Sequence, residues 1–71
     1  MTNKLTIGQS MRKVRKAKKY TLVKLEAKSG ISRQSIARWE KDRVYPNVML
    51  LISIADVLGV TLDELVGRTA R

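Results

Sequence analysis

The chain has 71 residues, with 15 lysines and arginines against six acids, a net charge of +9, and neither histidine nor cysteine. A chain this short holds one domain with a thin core, burying roughly 60% of its unfolded surface. The missing residue types remove a disulfide framework, a thiolate metal site and an imidazole base, and the apolar run Val48 to Ile52 is far short of the ~20 residues of a membrane span.

Residues 1–5 and 68–71 are expected to fray. Helix 1 is predicted over 6–19, with Ile7, Met11, Val14 and the stem of Lys18 on one face. Its other positions hold the basic run Arg12 to Lys19, part of which reads as a solvated face, and its last lysines suit the helix dipole. Thr21 caps helix 2, predicted over 21–28, with Leu22 and Leu25 facing inward and Ala27 or Ser29 near the crossing with the next helix. Gly30 can take the left-handed conformation that ends helix 2, and Ser32 can cap helix 3 over 32–41. On helix 3, Ile36 and Trp39 face inward, so Arg33, Gln34, Ala37 and Arg38 point outward. Asp42 is among the few non-glycines that tolerate a left-handed backbone. Pro46 sets up Asn47 as the cap of helix 4 over 47–58, and Thr61 caps helix 5 over 61–66 with Asp63 and Glu64 in its first turn. Nothing alternates like a strand. The fold class is therefore all-α, a compact five-helix unit over 1–71.

Helices 2 and 3, joined by a tight turn at Gly30, form a helix-turn-helix. Charge points the same way. Thirteen of the 15 basic residues lie in residues 1–43 against Glu26, Glu40 and Asp42, so that part is +10 and the remainder is −1. Such asymmetry favours a polyanion partner on the first part. Arg33 and Arg38 can each pair with guanine O6 and N7, Gln34 with adenine N6 and N7, and Ala37 can approach a thymine methyl. Either arginine could instead hold a phosphate. Phosphate clamps are expected at the helix starts Thr21, Ser32 and Asn47, from Lys41 and Arg43 in the following turn, and from Ser35.

The run Leu25, Gly30-Ile31-Ser32, Ile36, Trp39-Glu40, Pro46-Asn47, Leu51, Ile54-Ala55 and Leu58 to Leu65 resembles the phage-repressor and Cro type of helix-turn-helix domain. The resemblance covers about Ile7 to Gly67; Trp39-Glu40 and Leu58 to Leu65 are its most specific features. It implies a DNA-binding regulator in the cytoplasm of a bacterium or phage-infected host, without cofactor, metal or membrane. It implies a homodimer on palindromic double-stranded operator DNA, with base contacts from Ser32, Arg33, Gln34, Ala37 and Arg38. It also implies an internal salt bridge between Arg15 and Glu40, and a core place for Trp39. A stand-alone Cro-like protein or a small regulator fits best, and an enzyme does not. Two residues depart from the pattern. Leu22 replaces the usual glutamine, which puts a helix-2 phosphate contact in question, and Glu26 replaces an alanine near a tight helix crossing.

Leu51, Ile54, Ala55 and Leu58 make one inward stripe on helix 4, and Met49 and Leu50 are additional. They either complete a thin core or, with Leu22, form an interface for a second subunit or a partner repressor. The alternative function is accordingly an antirepressor or modulator of repression that binds such a partner, although the basic helix 3 points back to DNA.

Overall fold

Each helix starts on a side chain that closes its first turn. In the computed structural model, which describes residues 5–68, the side chains of Thr6, Thr21, Ser32, Asn47 and Thr61 each accept the backbone N–H three residues on. Replacing such a cap with alanine typically costs ~1 kcal/mol. The caps open α1 (Ile7–Ala17), α2 (Leu22–Ser29), α3 (Arg33–Glu40), α4 (Val48–Leu58) and α5 (Leu62–Val66). There is no strand among the described residues. The Gln9 and Glu64 side chains reach back to the cap N–H of α1 and α5, completing capping boxes. Hydrogen bonds from the Thr61 N–H and hydroxyl hold the Glu64 carboxyl below its ordinary pKa, with a smaller contribution from the charge of Lys18.

The predicted bounds hold within one or two residues, and the largest difference is at the end of α1. Lys18 is its cap and Lys19 is left-handed at φ 63°, so the Tyr20 N–H turns back to the Arg15 carbonyl at 3.1 Å. Lys18 as a residue is exposed just past the helix end. The fraying expected at 1–5 and 68–71 falls outside the described residues except at Leu5, which is exposed, and Arg68, whose N–H donates to the Asp63 carbonyl at 2.8 Å.

Met11, Leu25, Ile36, Trp39, Ile54, Ala55, Leu58 and Leu65 form one core drawn from all five helices. α1 packs on α3 and α5, α2 packs on α3 and α4, and α4 packs on α5. The core face of α1 is centred differently from the expectation. Ile7 is exposed, and Gly8 is buried where α1 meets α3. A Cβ at Gly8 would collide with the Trp39 and Glu40 carbonyl oxygens, so the two helices approach backbone to backbone there. Only glycine permits that approach.

The three interface candidates differ in burial. Leu22 and Leu50 are half-buried and pack against the core, as a thin core leaves few apolar side chains unused. Met49 differs, with 71% of its surface exposed.

Candidate nucleic-acid interface

α3 is fixed from its inner side. Ile36 and Trp39 fill the core, and Glu40 is buried beside them. The Arg15 guanidinium donates to Glu40 through Nε at 2.7 Å and Nη2 at 3.0 Å, while its Nη1 donates to the Tyr20 carbonyl at 2.8 Å. This bidentate pair ties α1 to α3, and its remaining donor secures the chain entering α2. Both side chains are over nine-tenths buried. Among the described residues, no buried side-chain polar atom lacks a partner.

A second tie lies just past α3 and was not foreseen in this role. Asp42 takes the left-handed conformation at φ 59°, as its residue type allows. Its carboxylate accepts the Thr6 hydroxyl at 2.6 Å, the Gly8 N–H at 2.9 Å and the Tyr45 hydroxyl at 3.0 Å. It therefore sits at the positive end of α1, where a negative charge is favourable. The Thr6 hydrogen bond is the largest cause that holds the Asp42 carboxyl below its ordinary pKa, and the bond to Asp42 raises that of Tyr45. The turn carrying Lys41 and Arg43 is thereby anchored to α1.

Outward, α3 is open. Ser32, Arg33, Gln34 and Arg38 are exposed, while Ser35 and Ala37 are half-buried. Ala37, Arg38, Lys41, Arg43 and Val44 line one open groove, which brings two of the expected base-reading residues beside two expected phosphate ligands. Thr21 and Asn47 are exposed at the starts of α2 and α4 with one acceptor each committed to capping. The Ser32 Oγ accepts the Ser35 N–H at 3.2 Å. Arg33 has an acidic neighbour that sequence alone did not pair with it: its Nη1 donates to Glu26 Oε1 at 3.4 Å. Glu26, expected to disturb the crossing of α2 and α3, is half-buried and directs its carboxylate to this arginine. Gly30 makes the turn between the two helices at φ 76°.

This is a helix-turn-helix whose second helix is locked inward and presents polar and basic groups outward, and a family model described as helix-turn-helix matches residues 11–65. The chain belongs to the helix-turn-helix family. This helix-turn-helix chain is similar to an immunity repressor protein of Bacillus phage phi105, 36% identical over 64 residues, which are 90% of this chain and 44% of that protein. It thus spans less than half of that relative's length. It is also similar to the uncharacterized HTH-type transcriptional regulator y4dJ of Sinorhizobium fredii, 36% identical over 63 residues that cover 89% of this chain and 82% of that protein. The fold matches the P22 c2 repressor protein, in a crystal structure of its complex with a synthetic operator, at a TM-score of 0.79 and 27% identity. The match covers 89% of this chain and 96% of that one.

Proposed function

We propose that the chain is a sequence-specific DNA-binding transcription regulator that inserts α3 into the major groove of operator DNA. The observation that carries this reading is the open groove that joins Ala37 and Arg38 of α3 to Lys41 and Arg43 of the next turn. Base-edge donors and phosphate ligands on one surface are what a groove-docked helix requires. Ser32, Arg33, Gln34, Ala37 and Arg38 face the bases. Thr21, Ser35, Lys41, Arg43 and Asn47 hold the backbone on either side. The similarity to a phage immunity repressor and to an operator-bound repressor supports repression by occupancy of a promoter.

The protein acts as a homodimer on a palindromic site. Val44, Tyr45, Val48, Met49 and Ile52 are exposed within nine residues, and the stretch from Val44 to Ala55 holds no charged residue in a chain of net charge +9. A second copy meets least electrostatic repulsion there. The same exposed Met49 is what a partner repressor would bind if the chain modulated repression instead. Selection of duplexes from a randomised pool tests the first reading. An enriched palindrome bound by two copies supports it, and retention of every sequence alike overturns it. Met49→Ser is expected to leave the melting temperature unchanged and weaken self-association roughly tenfold or more in sedimentation, from the loss of a buried methionine at the interface. Unchanged association would return Met49 to the solvent.

A further inference from the structure

Three acids stand among the 13 basic residues of the first 43 positions, and the fold accounts for two of them. Glu40 is buried against Arg15, and Asp42 caps α1. Glu26 remains. Its carboxylate meets Arg33 at a single contact of 3.4 Å, with the two side chains 37% and 51% exposed, and a solvated pair of this kind adds little to stability. A negative charge beside a helix that approaches a polyanion also lowers affinity. Neither fold nor affinity explains it.

We propose that Glu26 is a positioning residue for Arg33, which sets that arginine to read a guanine instead of gripping a phosphate. The proposal rests on the reading of α3 as the recognition helix. A guanidinium is a rigid planar fork with five N–H donors. Arg15 displays how such a fork divides: Nη1 goes to one acceptor, while Nε and Nη2 form a parallel pair to another. With Nη1 of Arg33 on Glu26, its Nε and Nη2 edge is left for two parallel acceptors, and guanine O6 and N7 provide that spacing. A phosphate on the same edge would bring a second anion against the Glu26 carboxylate. Guanine offers neutral acceptors and meets no such repulsion. Glu26 thus favours a base over a phosphate at the one arginine that it touches.

The test compares the native chain with Glu26→Gln, Glu26→Asp and Arg33→Ala. The probes are duplexes selected by the native chain from a randomised pool, each base-substituted version of them, and a random-sequence duplex. Glu26→Gln is expected to bind the random duplex more tightly and to lose about tenfold of its discrimination at one guanine. Its affinity should also fall more steeply with salt, by a slope of about one, because the released Arg33 takes a phosphate. Glu26→Asp keeps the charge but withdraws it by one methylene. It should lose the same discrimination while its affinity for random DNA stays near native, which separates positioning from net charge. If Arg33→Ala loses discrimination at that guanine while both Glu26 variants keep native discrimination and salt slope, Glu26 is only a surface ion pair. If Arg33→Ala loses discrimination nowhere, or the pool yields no enriched sequence, the reading of α3 fails and takes the proposal with it.

Discussion

Glu40 turns inward from α3 to hold Arg15 through two bonds of 2.7 and 3.0 Å, whereas Arg33 turns outward to meet Glu26 at a single contact of 3.4 Å. The inner pair has left water, so each charge depends on the other, and removing one strands its partner in a poorly solvated place. Water surrounds the outer pair and screens it. One kind of contact therefore does two jobs on two faces of a single helix. On the inner face it fixes the position of α3; on the outer face it engages one Nη of a guanidinium and leaves the Nε and Nη2 edge open. The proposed reading of α3 as the recognition helix calls on both, since a side chain that reads a base needs a fixed backbone beneath it.

The largest effect expected from this contrast is at Arg15. Arg15→Ala should destabilise the protein by roughly 3–5 kcal/mol, because Glu40 is left buried and unpaired. That is a large share of the 5–15 kcal/mol typical of a whole domain. Thermal unfolding without DNA measures it, and an unchanged melting temperature would show that water reaches Glu40 freely. Replacing both partners together by Met and Leu sharpens the point. It removes the stranded charge and should cost less than Arg15→Ala alone.

Arg38 gives the next largest effect, and it should appear only on DNA. Among the described residues Arg38 forms no ion pair, and it is exposed on the groove. Arg38→Ala is expected to leave the melting temperature unchanged and to cost roughly 1–3 kcal/mol on the selected site, with relaxed preference at one base pair. Equal losses on selected and random duplexes would assign Arg38 to phosphate.

What the sequence disclosed follows from how far apart the interacting residues lie. Caps at Thr6, Thr21, Ser32, Asn47 and Thr61 act within three residues, so they and the helices they open are local signals. The inward pair Ile36 and Trp39 follows from helical spacing. The link from Arg15 to Glu40 spans 25 residues and came from family resemblance, not from pattern. Gly8 shows the limit of periodicity. Spacing put Ile7 on the core face, but the close approach of α1 to the end of α3 centres that face on a glycine with no side chain to mark it. The outward positions Arg33, Gln34 and Arg38 were legible from the same spacing, whereas the attachment of Arg33 to Glu26 was not, because it depends on how α2 and α3 cross. Leu22 and Leu50 were ambiguous for a related reason. Whether an extra apolar residue is core or interface depends on the space between helices, which hydropathy does not encode.

The smallest effect lies at the joint between the two faces, where Asp42 connects the end of α3 to the start of α1 across 34 to 36 residues of chain. Hydrogen bonds from the Thr6 hydroxyl, the Gly8 N–H and the Tyr45 hydroxyl favour its charged form and lower its pKa. The unfolded chain, with an ordinary aspartate near 3.9, takes up the proton first as pH falls. The stability contributed by this carboxylate is therefore fully present above about pH 4 and disappears as pH drops through the lower folded value. Asp42→Asn tests this without disturbing the backbone, because asparagine also tolerates the left-handed conformation at this position. The variant should melt below the native protein at neutral pH, by less than Arg15→Ala does, since water reaches Asp42. The two melting curves should converge on acidification, and the gap should close once the pH has fallen through the lowered folded value, where the native carboxylate is protonated as well. A gap that persists unchanged at the lowest pH at which both remain folded would mean that the lost stability comes from shape and not from charge. In that case the anchor of the Lys41 and Arg43 turn would be insensitive to acid.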